Sequence, residues 1–246
     1  MPRKKRKAQE PLTYLDHLEI FRRNIIFLIF FLGVSFAVSF YFIEELMVFL
    51  QAPIQGLDIQ LNYFKPYEKF ITYIKAAFFT GLFFTVVCGI FLMGGFVYPA
   101  LKKEEKKYFF FLMLIVPAVF LAGSFFAYRV ITPAGFGFFY GFASGDNVRP
   151  IWGIGSYLDF LIMVVFATGI LFLLPLVFLV FIRAGLVKVR TLSKARPYVA
   201  VILLVIAALF TPPDVVTQVL IAVPLYLLFE ITLIIGRMIG DRNSKR

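Results

Sequence analysis

The chain has 246 residues, 61% of them hydrophobic and 19% aromatic, with a formal net charge of +11 and a mean hydropathy of +0.89. Soluble domains are about 45–50% apolar, so a water-facing fold would expose large apolar patches, and a membrane environment is required instead. The single cysteine, Cys88, excludes an intramolecular disulfide and a multi-cysteine metal site, and the single histidine, His17, excludes a multi-histidine one.

The N-terminal MPRKKRKAQE resembles a nuclear localisation signal, but ahead of an apolar chain it reads as a basic cytoplasmic tail. It lacks the short apolar core and small-residue site of a cleavable leader. In YLDHLEIFRR, Leu15, Leu18, Phe21 and Ile25 repeat at helical spacing. This predicts an amphipathic helix that lies along or enters the inner interface. His17 reads as a polar residue at that interface.

Runs without charge then predict six transmembrane helices, at about 24–43, 76–98, 108–131, 157–182, 198–210 and 215–236, in one domain spanning 1–246. Pro99, Pro133, Pro197 and the Pro212–Pro213 pair fall near run ends, where they can stop a helix. Pro117, Pro175 and Pro224 fall inside runs, where membrane helices tolerate kinks. The fifth helix, Tyr198–Leu209, would rise only about 18 Å against a core of roughly 30 Å. The fifth and sixth helices are therefore expected to be short, with the Thr211–Asp214 turn below the outer surface. The outer loops are expected at Glu44–Lys69 and Thr132–Ser156. Twenty Lys and Arg fall on the side shared by both termini and five on the other. That imbalance places both termini in the cytoplasm.

No G-x-x-x-x-G-K-[ST] is present, and no nucleophile–base set shares a depth, so nothing argues for an enzyme, a nucleotide site or a cofactor. Carboxylates at or near membrane depth stand out instead. Glu19 precedes the first span and can pair with Arg23. Glu104 and Glu105 lie among lysines on the first inner loop, and Glu68 lies outside beside Lys65 and Lys69. Asp214 follows two prolines and reads as a helix cap. Glu230 sits inside the last span, where it can snorkel or pair with Arg237, seven residues on and on the same helix face. Gln218 lies one turn beyond Asp214. Asp214 and Glu230 also admit a different class of protein, an ion-coupled transporter, and a plain membrane scaffold is a third.

A family resemblance rests on motifs in order along the chain. They are HLEIFR at His17–Arg22, PYEKFITYIK at Pro66–Lys75, VYPALKKEEKK at Val97–Lys107 and FFAYRVITP at Phe125–Pro133. SYLDF at Ser156–Phe160, RPYV at Arg196–Val199 and FTPPDVVTQVLIAVPLYLLFEI at Phe210–Ile231 complete the set. Together they resemble the TatC family, the receptor subunit of twin-arginine protein translocation. Two positions depart from its pattern: Ile20 and Leu173 stand where acidic residues are usual.

The resemblance implies a receptor and scaffold that exports folded proteins across the inner membrane on the proton gradient, with no cofactor or metal. Its ligand would be a signal peptide with paired arginines, whose forked guanidinium groups suit acidic partners. Glu19, Arg22 and Glu105 would meet that peptide. Single-span subunits of the TatA/TatB type would pack on the fifth and sixth helices, where Gln218 offers an amide. Glu68, Asp214 and Glu230 would be partner or structural polar groups. An oligomeric complex in the bilayer is implied, with no role for nucleic acid.

Overall fold

The computed structural model describes residues 14–57, 59–101, 103–143, 151–183, 185–210 and 215–243. The chain opens with α1 (Tyr14–Tyr41) and a shorter helix, α2 (Ile43–Gln51). A two-residue strand, β1 (Leu61–Asn62), leads to α3 (Glu68–Val97) and α4 (Lys103–Phe126). Next come α5 (Thr132–Ala143), β2 (Trp152–Gly153), α6 (Ile154–Leu171) and α7 (Leu174–Arg183). The chain continues through α8 (Val189–Lys194), α9 (Arg196–Leu209) and α10 (Val215–Asn243). Among the described residues, five helical stretches are long and apolar enough to cross a membrane, and Arg196–Leu209 is a shorter apolar helix.

The outer faces of these rods are apolar. Phe30 is 68% exposed and Ile29 66%, with Leu18, Ile26, Val34 and Val38 beside them on α1. Such a surface is stable against lipid and a liability in water.

Contacts along the rods give their directions. Gly81 of α3 lies against the Phe36 backbone, Gly89 against Leu28, Leu92 against Asn24 and Phe96 against His17. Numbers fall on α1 as they rise on α3, so the two run antiparallel. At Gly81 a Cβ would lie 2.8 Å from Phe36 N, so only glycine permits this approach. Lys75 meets Asp159 and Phe79 meets Phe166, which makes α6 parallel to α3. Arg196 meets Glu230 and Gln218 meets the Leu204 carbonyl, which makes α9 and α10 an antiparallel hairpin.

These directions bring the start of α1, the end of α3, the start of α4, the end of α7 and the start of α9 to one face. The Arg183 guanidinium lies 3.3 Å from the centre of the Tyr108 ring there, joining α7 to α4. This is the basic end of the molecule.

The opposite end carries α2 and the β1–β2 pair. Leu61 pairs with Trp152 and Asn62 with Gly153 in parallel register. Tyr157 donates to the Leu50 carbonyl at 2.6 Å, and Tyr128 donates to the Phe49 carbonyl. These bonds tie the last turn of α2 to the helices beneath, the Phe49 carbonyl also taking the Ala52 N–H. A core of Met47, Ile54, Tyr128, Phe136, Tyr157 and Leu158 lies beneath. Ile131, Val164, Leu203, Ala207, Ile221 and Leu225 fill the middle, and Ile182, Leu192, Phe229 and Leu233 the basic end.

Several expectations need correction. The sixth helix is not short: α10 has 29 residues, because Pro224 is carried inside it and Glu230 is paired rather than left in lipid. Helix α9, at 14 residues, is the short one. Pro133 does not stop a helix. A π turn at Ala127–Ile131 widens the rod ahead of it, and the Ala127 carbonyl takes the Thr132 N–H and its hydroxyl, the latter at 3.0 Å. The helical rod therefore runs on, and Thr132–Ala143, expected as loop, is α5. Phe136 fixes it, with its ring 5.0 Å from Tyr157 and from Phe160. The run at 157–182 is broken at Phe172–Leu173 ahead of Pro175, which has no N–H to continue the ladder. The N-terminal segment expected to lie along or enter the interface is the first part of α1, continuous with the apolar stretch His17–Tyr41.

Candidate functional site

At the basic end, Glu19 sits on the second turn of α1. Its carboxylate accepts from Arg22 Nη2 at 2.5 Å, and both side chains are well exposed. The partner is three residues on, not Arg23 at four. Ile20 is half-buried while Glu19 is exposed. A one-residue shift turns a side chain by about 100° round a helix, so the carboxylate here faces away from the bundle. His17 stacks on Phe96 at 4.3 Å and Phe21 lies 5.6 Å from the same ring. Asn24 donates to the Leu92 carbonyl at 3.4 Å. The Glu19–Arg22 pair therefore projects from a helix end pinned to α3.

Glu104 and Glu105 fall in the first turn of α4, which begins at Lys103. Backbone N–H groups there favour negative charge. Their side chains, and Asp214 with its whole turn, lie outside the described residues.

Glu230 is held by Arg196 Nη2 at 2.7 Å, with the Arg196 and Glu230 side chains 39% and 27% exposed. The expected pairing with Arg237 is not made, because Arg237 lies over α8 and donates to Ser193 Oγ at 3.2 Å. Arg196 is the first residue of α9, with Pro197 next to it in the first turn, and that turn lies beside α10. Gln218 donates to the Leu204 carbonyl at 3.0 Å and is half-buried.

Glu68 is not a plain solvated residue. It opens α3 and accepts from the backbone N–H groups of Phe64 at 2.6 Å, Lys65 at 3.2 Å and Gly155 at 3.3 Å. One carboxylate thus fixes the loop before α3 to the start of α6. A Cβ on Gly155 would stand 3.0 Å from Glu68 Oε1, so the glycine admits the contact.

The pair missed in the sequence is Lys75 with Asp159, at 2.8 and 3.0 Å between α3 and α6. Both fall inside quoted motifs, PYEKFITYIK and SYLDF, yet nothing in linear spacing links residues 84 apart. The structure thus brings Glu19 to Arg22, Glu230 to Arg196 and Gln218 to α9, while Glu68 serves the opposite end. Among the described residues, no group of three His, Cys, Asp or Glu side chains could hold a metal ion.

Long lipid-facing helices with charged groups paired between them define a multi-pass helical membrane protein. Residues 16–224 match the family described as Sec-independent protein translocase protein (TatC), and the chain belongs to that family. This is a family of protein-translocase receptors, not of enzymes. The chain is 34% identical over 241 residues to the Sec-independent protein translocase protein TatC of Desulforapulum autotrophicum, covering 97% of this chain and 89% of that one. It is 29% identical to TatCy of Bacillus subtilis, over 95% of this chain and 92% of the relative. A crystal structure of the twin-arginine translocase receptor TatC in DDM superposes with a TM-score of 0.76 at 32% identity, covering 89% of this chain and 99% of that chain.

Proposed function

We propose that this protein is the signal-peptide receptor and scaffold of a twin-arginine translocase, exporting folded proteins on the proton gradient. In this reading it forms one domain, crosses the inner membrane six times with α9 as the short fifth span, and keeps both termini in the cytoplasm. The basic end then faces the cytoplasm, as the lysine and arginine imbalance requires. Single-span subunits of the TatA/TatB type pack against the α9–α10 hairpin around Gln218 and Asp214, in an oligomeric complex.

The observation that carries the recognition step is the exposed Glu19–Arg22 pair on a helix end pinned to α3. An exposed pair three residues apart is worth about 0.3–0.5 kcal/mol. A charge-assisted bond from an incoming arginine is worth about 1.5–3 kcal/mol. A signal arginine therefore displaces Arg22 at little cost, and Glu105 supplies a carboxylate for the second one. The ion-coupled transporter gains nothing from Glu230, since Arg196 already neutralises it.

Site-specific photo-crosslinking tests the reading. A photoreactive residue in place of Leu18, or of Lys106 beside the acidic pair, should capture a twin-arginine signal peptide. A probe at Tyr63, at the other end, should not. Capture from Tyr63 alone would refute it.

A further inference from the structure

Between α2, α3, α4 and α6 lies a cavity of about 400 Å³. Leu46, Phe79, Phe83, Phe125, Leu161 and Phe166 are among its walls, and its only polar side chains among the described residues are Thr80, Ser124 and Tyr128. The Tyr128 hydroxyl is already engaged by the Phe49 carbonyl. Phe84 and Phe125 line the space and are 54% and 63% exposed, so it opens at the lipid-facing surface. Water does not occupy so apolar a space, whereas hydrocarbon does.

Size selects the occupant. A span of about 20 residues, about 10 Å across and 30 Å long, is far too large to be enclosed there. A flexible hydrocarbon chain has no such minimum width. Charge selects the other end of the molecule. The Arg129 guanidinium lies 5.9 Å from the ring centres of both Phe125 and Tyr128, which are cavity walls. It makes no ion pair among the described residues, whereas Lys75 and Asp159 neutralise each other at 2.8 Å. Arg129 also sits in the π turn Ala127–Ile131, a local geometry that recurs at functional sites. A forked guanidinium matches a phosphate.

We propose that this cavity holds one acyl chain of a membrane phospholipid, with the lipid phosphate on Arg129. The lipid belongs to the leaflet opposite the basic end. It completes the packing between α3, α4 and α6 where side chains leave a gap. The proposal needs only that the chain spans a bilayer, and its test does not involve the signal peptide.

The test uses the full chain in nanodiscs containing phosphatidylglycerol with a diazirine near the end of one acyl chain. Mass spectrometry maps the label, and melting curves confirm that each variant is folded. Label should appear on the segments around Phe79–Phe84 and Leu161–Phe166. Thr80→Phe, or Val165→Phe if the first does not fold, should remove it by filling the space. Arg129→Gln should lower it by about tenfold, and Arg129→Lys much less. Diacylglycerol with the same probe, lacking phosphate, should label equally with and without Arg129. Absence of label at those segments, or label unchanged in the filled variant, would overturn the proposal. So would Arg129→Gln labelling as strongly as the parent, or capture of a protein helix there that phosphatidylglycerol does not displace.

Discussion

Arg196 Nη2 and Glu230 Oε2 are 2.7 Å apart, and this pair ties the first turn of the short helix α9 to the middle of the long helix α10. Both side chains are only partly exposed, so removing one partner leaves the other charge poorly solvated. Arg196→Met and Glu230→Gln should each cost about 1–2 kcal/mol in melting experiments, a figure reduced for partial solvent screening. The double variant should cost less than the two summed. Arg237→Gln, expected from spacing to break the same pair, should be nearly silent. A loss at Arg237 equal to that at Arg196 would show that the pairing is wrong.

The α1–α3 crossing makes a second prediction. A Cβ at Gly81 would lie 2.8 Å from Phe36 N, whereas one at Gly33 on α1 would meet nothing within 4 Å. Gly81→Ala should destabilise by about 1–3 kcal/mol, because backbone cannot step aside as a side chain can. Gly33→Ala should be neutral or stabilising by up to about 1 kcal/mol. Equal melting temperatures for the two variants would contradict the close crossing.

Orientation is tested by thiol labelling in a chain with Cys88 replaced. Cysteines at Ser144 and Asn147 should react from outside intact cells. Cysteines at Lys103 and Lys106 should react only after lysis. The reverse pattern would overturn the cytoplasmic placement of the basic end.

Gln218 donates to the Leu204 carbonyl, which leaves its own amide oxygen for a neighbour. Gln218→Leu should leave the fold and signal-peptide binding intact. Crosslinking to the single-span subunit and export should both fall. Undiminished crosslinking and export would leave Gln218 with only its bond to α9.

Much of this architecture is legible in the linear chain, because lipid imposes long apolar runs and sorts lysine and arginine to one side. The signal fades where a partner is distant. Glu230 has Arg237 on its own face, but Arg196, 34 residues back, makes the bond. Lys75 and Asp159 come together only when α3 and α6 pack in parallel. Pro133 reads as a stop because the remedy, a π turn with the Ala127 carbonyl shared by Thr132, is a tertiary choice. Glu68 reads as a loop charge because two of its three donors are local, while the third, Gly155, arrives from another helix.

Recognition of paired arginines by carboxylates at the basic end underlies the proposed export role. Its most direct measurement is the affinity of the full chain in nanodiscs for a signal peptide carrying Arg-Arg against the same peptide carrying Lys-Lys. Arg-Arg should bind at least about tenfold more tightly, because lysine cannot form the forked pair. Glu105→Gln should lower that preference, leaving the part read by Glu19, and Glu104→Gln should change it little. Equal affinity for the two peptides, or equal effects of the two substitutions, would contradict the account.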